Sequence, residues 1–203
     1  MKTMINIKHF DFLKQKYGAT SSWAVWEKQG SKVTSNVGDM NILNPEINKD
    51  LLNILNPNIV MAGLNLSGWS NEAPAFSNFH SSSGRAKDYK IRYAFNETRY
   101  WGAYMTDVVK GHIEPISAEV MKDLRRNQNN VQQHIENFQA ELRDIGSENP
   151  IIIAFGGDAH SLLKQHLSKD CYSLLIGVTH YSHHISKEEY REKVHKQIAA
   201  SSP

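Results

Sequence analysis

Four short apolar runs stand out along the last three-quarters of the chain: residues 58–62, 102–109, 151–155 and 172–178. Each is bounded by glycine, proline or polar residues, as a buried strand opening into a loop would be. The polar stretches between them carry apolar residues at helical spacing. Tyr190, Val194 and Ile198 recur every four residues, and Ser186-Lys187-Glu188-Glu189 just before them is a capping-box pattern. One long helix is expected from about Ser117, as its N-cap, to Arg143. Another is expected after the Gly156-Gly157 turn, capped by Asp158. An opening helix at 8–17, the Trp-rich "SSWAVW" and a short helix near 48–55 precede the first strand. Strands separated by helices imply a parallel sheet covered on both faces. The expectation is therefore an α/β chain, a three-layer α/β/α sandwich with a four-stranded, mainly parallel central sheet. It is read as one domain, with residues 1–55 packed on it as a helical and loop segment.

In such a sheet all strands deliver their carboxyl ends to one edge, where open α/β folds bind ligands. Asn65, Asp107, the Gly156-Gly157 turn and His180 are expected to converge there. Locally, Asn65 is equally readable as a residue tolerating a left-handed turn. Trp23 and Trp26 read as packing, and Asp158 and His160 as a helix start.

Composition narrows the partners. With 203 residues, 40% hydrophobic and 22% charged, the chain is of globular type. No apolar run is long enough to cross a bilayer, and "MKTMINIKHF" has no signal-peptide core, so no membrane partner and a cytoplasmic location are expected. A net charge of +2 permits nucleic acid without demanding it. The denser basic run Arg85, Lys87, Lys90, Arg92, interleaved with Tyr89 and Tyr93, suits a nucleic-acid strand, though an amphipathic helix shows the same letters. One cysteine, Cys171, excludes an internal disulfide and a four-cysteine metal cluster. His180, His183 and His184 lack a carboxylate at fixed spacing, so neither a metal nor another cofactor is expected.

"IVMAGLNLSG", "AYMTDVV", "PIIIAFGGDAHSLL" and "LLIGVTHYSHHIS" occur in the order and approximate spacing of the uracil-DNA glycosylase superfamily, which this chain resembles over roughly residues 56–190. The first motif is closest to the mismatch-specific branch, which carries Asn at the place of Asn65. The resemblance implies a monofunctional base-excision enzyme that flips a damaged or mismatched base from DNA and hydrolyses its N-glycosidic bond. In that reading Asn65 positions water and His180 stabilises the departing base. Phe76 or Phe79 stacks on the base, Asp107 reads its edge, and Gly63 and Ser67 lie beside it. Arg85, Lys87, Lys90, Ser182, His183 and His184 contact single- or double-stranded DNA, and Ile185 wedges into the stack. The chain departs from the family at Leu66, Tyr181 and His183, which replace prolines. Ser67 stands where the strict uracil enzymes have Tyr, and Asp107 where an Asn is common. An ionised carboxylate only accepts hydrogen bonds, so Asp107 favours a base with amino or imino donors. Two rivals share the sequence evidence: an inactive nucleic-acid-binding relative, and an α/β module for a small nucleotide or metabolite.

Overall fold

The computed structural model of the chain describes residues 4–28, 39–66, 68, 73–81, 83 and 85–201; Ser67 lies outside them. Its strands are β1 (Ser21–Trp23), β2 (Asn56–Asn65), β3 (Ala103–Val109), β4 (Ile151–Phe155) and β5 (Leu174–Val178). They form one sheet in the order β1-β3-β2-β4-β5. The four strands expected from the apolar runs are all present, and every pairing among them is parallel. The sheet is nonetheless five-stranded and mixed, because β1 joins β3 antiparallel, Ser21 opposite Thr106 and Trp23 opposite Tyr104. Three residues, all buried, give β1 no alternation to read.

The helices are α1 (Ile7–Tyr17), α2 (Leu51–Ile54), α3 (Tyr89–Phe95), α4 (Ser117–Arg126), α5 (Gln128–Asp144), α6 (Gly157–His166) and α7 (Lys187–Ser201). The alternation of side chains along β2 divides the core in two. Val60, Ala62 and Leu64 pack with Leu13 of α1, Phe138 of α5 and Leu163 of α6. Ile59 and Met61 pack with Ile91 and Phe95 of α3 and with Tyr190, Val194 and Ile198 of α7. Burial on both faces is why β2 reads as a continuous apolar run rather than an alternating one. The α/β class follows from this arrangement.

Three local expectations are corrected. The single helix over 117–143 is two helices, because Asn127 leaves the helical region at φ −134°, ψ 87°. Ser117 is the first residue of α4 and Ile116 is its N-cap. Asp158 lies in the first turn of α6, whose N-cap is Gly156 at φ +89°, a conformation glycine adopts freely. The capping box of α7 is formed: Ser186 N donates to Glu189 Oε2 at 2.8 Å and Glu189 N to Ser186 Oγ at 3.1 Å.

Two polar ties fix the framework around the sheet edge. Glu141 of α5, 1% exposed, accepts from Tyr104 Oη at 2.8 Å and Thr106 Oγ1 at 3.0 Å, and pairs with Lys110. Buried His80 stacks on Trp26 with ring centres 4.9 Å apart, its Nε2 3.1 Å from Val25 O and its Nδ1 3.0 Å from Ser22 Oγ. Trp23 and Trp26 are both buried, as packing residues are. The N-terminal segment thus supports the loop that follows β2.

Candidate functional site

β2 is longer than its neighbour β4. Their pairing ends at Ala62 and Ala154, whereas β2 continues beside β3 to Asn65 and Val109. From β2 the chain goes to β3 on one side, then crosses to β4 on the other. That reversal of direction leaves a crevice beyond the strand ends, the usual ligand position in such sheets. A cleft of about 1270 Å³ opens there. It is larger than the ~300–1,000 Å³ of ordinary small-molecule pockets. Asn65, Asp107, Gly156, Gly157 and His180 all line it, so the convergence expected from the strand ends is present.

Asp107 is the most deeply buried polar group of the cleft, 3% exposed. Its Oδ2 accepts from Asn78 Nδ2 at 2.8 Å. Its Oδ1 lies over Gly63, where a Cβ would collide with it, and accepts no hydrogen bond from a described residue. Gly63 therefore serves the site by leaving room for this carboxyl. Burial pushes Asp107 up to about 6, against the opposing pull of the Asn78 hydrogen bond and Lys110. A second carboxyl of the cleft, Asp88, is raised by burial too, and accepts from Ser81 N at 2.8 Å.

His180 follows β5 and packs beside Gly156, where a Cβ would stand 3.4 Å from its own. Ser182 N donates to His180 Nδ1 at 3.1 Å, so the ring proton sits on Nε2. Burial lowers His180 to about 4, which keeps it neutral near pH 7. Its ring stacks on Tyr181 at 4.2 Å, and Tyr181 meets Phe155 at 5.5 Å and Phe79 at 6.3 Å, both edge-on. The cleft thus has an aromatic wall ending in one neutral donor.

Asn65 is tied to the backbone by its amide nitrogen. Its Nδ2 donates to Leu66 O at 3.0 Å, His112 O at 3.2 Å and Glu114 O at 2.7 Å. One amide nitrogen carries two hydrogens, so both are committed to tying the loop after β3 to the end of β2. Its carbonyl oxygen accepts no hydrogen bond from a described residue.

The two phenylalanines separate. Both occupy the left-handed region, Phe76 at φ 65° and Phe79 at φ 64°, which costs a residue with a Cβ ~1–2 kcal/mol. Phe76 turns into the core against Phe10 at 5.4 Å and does not line the cleft. Phe79 lines it. Of the DNA-contact candidates, Arg85, Lys87 and Ser182 line the cleft. Lys90 does not; it is 3% exposed, and its ammonium donates to His183 O at 2.8 Å. His183 and His184 are exposed but outside the cleft, and Ile185 packs against the core beside α3 and α7. Among the described residues no group of three or more His, Cys, Asp or Glu side chains is placed to hold a metal ion, and no helix is long and apolar enough to cross a membrane.

Sequence reading missed Asn78, Asp88 and Tyr181. The signal for the first was present, since Asn78 is the polar residue inside "FSNFH", but its pairing with Asp107 spans 29 residues of chain. Among the described residues around the cleft, the carboxylates Asp39, Asp88, Asp107, Glu114 and Asp158 outnumber the cations Arg85 and Lys87, five to two. No family model matches the chain, and no curated protein matches it.

Proposed function

We propose that the protein is a DNA base-excision glycosylase with a uracil-DNA glycosylase-like fold. The observation that carries this reading is the assembly of Asn65, Phe79, Asp107 and His180 around one cleft at the switch point of the parallel strands. An extruded base entering the cleft lies against Phe79 and Tyr181, a stacking contact worth ~1–3 kcal/mol. Asp107 Oδ1 accepts from its edge. Water attacks C1′ of the sugar, the C1′–N bond breaks, and its electron pair leaves with the base while His180 Nε2–H donates to it. Asn65 positions the water through its carbonyl oxygen. Without a strong base in that role, the chemistry leans on orientation and is slow.

The commitment of both Asn65 hydrogens to backbone carbonyls favours, as a second reading, a relative that binds nucleic acid without cleaving it. The test is incubation of end-labelled oligonucleotides, each with one modified or mismatched base, followed by alkali to break abasic sites. Strand breaks that His180→Ala slows are expected. Binding without cleavage of any substrate selects the second reading.

A further inference from the structure

The charges around this cleft are the wrong sign for a base that departs as an anion. Among the described residues, five carboxylates and two cations line the cleft. The deepest of them, Asp107, has an oxygen without a partner among the described residues and aligned with the cleft floor at Gly63. The imidazole at the far wall, His180, is held as the neutral Nε2–H tautomer by Ser182 N and carries no positive charge near pH 7. Developing negative charge on a base held between these groups is repelled by Asp107 and Asp88, and a single neutral hydrogen bond offsets little of that. A base that enters positively charged reverses every sign. It is attracted by the carboxylates, and a charge lying over a ring face of Phe79, Tyr181 or Phe155, all of which line the cleft, gains a cation–π contact as well.

We infer that the cleft takes a cationic base, an N-alkylated purine with a formal positive charge, rather than a neutral deaminated one. This rests on the glycosylase reading and names its substrate class. The bond accounting agrees with it. Water oxygen bonds to C1′, the C1′–N bond breaks, and its electron pair cancels the positive charge, so the purine leaves neutral while the water gives its proton to solvent. Such a leaving group needs neither a general acid nor a cationic His, and His180 is neutral. The size of the cleft, about 1270 Å³, accommodates a two-ring base. The groups that set the charge of Asp107 are Asn78 and Lys110, which favour its ionised form, and Glu141 and Asp88, which oppose it. With Asp107 near 6, the carboxylate is ionised at neutral pH, and release of a cationic base rises with pH through that value.

The experiment uses duplex and single-stranded oligonucleotides carrying 7-methylguanine or 3-methyladenine, beside identical strands with uracil or hypoxanthine. Released base is read by chromatography and mass spectrometry at pH 7.5, corrected for spontaneous depurination. The methylpurines are expected to be released roughly tenfold faster or more than uracil, the ratio that ~1.4 kcal/mol of charge preference gives. Asp107→Asn, which keeps shape and the Asn78 neighbour, is expected to lose that preference. Faster release of uracil or hypoxanthine overturns the inference and leaves the glycosylase reading standing. Methylpurine release that Asp107→Asn does not alter overturns the assignment to Asp107. Release of no base from any strand overturns the inference and the glycosylase reading together.

Discussion

At the scale of single residues, the buried carboxyl of Asp107 works against stability at neutral pH. Its carboxyl is held near 6 against an ordinary value of 3.8, with burial as the main cause. A carboxyl raised in the folded state holds its proton more tightly folded than unfolded. Protonation therefore favours folding: stability is fullest below about pH 4, falls as pH rises through about 6, and stays lower above. About two units correspond to ~3 kcal/mol at most. Asp107→Asn removes the charge, so the variant is expected to gain up to ~3 kcal/mol over the wild type at pH 8, with the difference vanishing near pH 4. Urea unfolding at a series of pH values reads this directly; equal stabilities at pH 8 would remove the charge burial argued here. His180 works in the opposite sense, since its contribution is lost as pH falls from the ordinary histidine range toward 4. Both proteins share it, so it drops out of the comparison. Asn65, Asp107 and His180 were legible as residues that would meet at one cleft, because each stands at or near the carboxyl end of an apolar run. The choice between Phe76 and Phe79 was not. They sit in the same "FSNF" letters with nearly the same φ, and only the packing of Phe76 on Phe10 decides which one faces the cleft.

At the scale of elements, the parallel strands were readable because burial on both faces leaves a continuous apolar signature, and α7 because its cap and its four-residue spacing agree. What escaped was what long-range contacts determine. β1 is a strand only because β3 lies beside it, and a basic residue of α3 turns out to brace a loop. Lys90 belongs to a run of letters that suits a nucleic-acid surface, yet its ammonium reaches 93 residues along the chain to His183 O. Burial pulls its pKa down, with Lys87 adding to the effect. This contact clamps the turn after His180 onto α3, where the missing prolines of the resembled family would otherwise stiffen it. Lys90→Met keeps the length of the buried side chain and removes the donor. Losing a hydrogen bond of ~1 kcal/mol should open the turn roughly fivefold more often. Amide hydrogen exchange at residues 182–185 is expected to quicken by that factor while exchange in α7 stays unchanged. Unaltered exchange in the turn would mean that packing of Ile185 alone holds it.

At the scale of the molecule, charge sets the terms on which any nucleic acid is held. The chain has 23 basic and 21 acidic residues, and among the described residues Arg85 and Lys87 are the Lys and Arg side chains that line the cleft. Affinity for duplex DNA through contacts to Z phosphates falls with salt at a slope of about −0.9Z. Two contacts predict a slope of about −2 in a plot of log Kobs against log salt, a weak dependence for a DNA-binding protein. Arg85→Ala is expected to bring the slope to about −1, with Asp107→Asn leaving it unchanged because that carboxyl is 3% exposed, too deep to meet a phosphate. Fluorescence anisotropy across a salt series measures both. A slope near −2 places the DNA backbone along the Arg85–Lys87 rim, with recognition left to the base in the acidic cleft. A slope several times steeper would put the main contact on another face of the protein, and the cleft would then have to be reached from there.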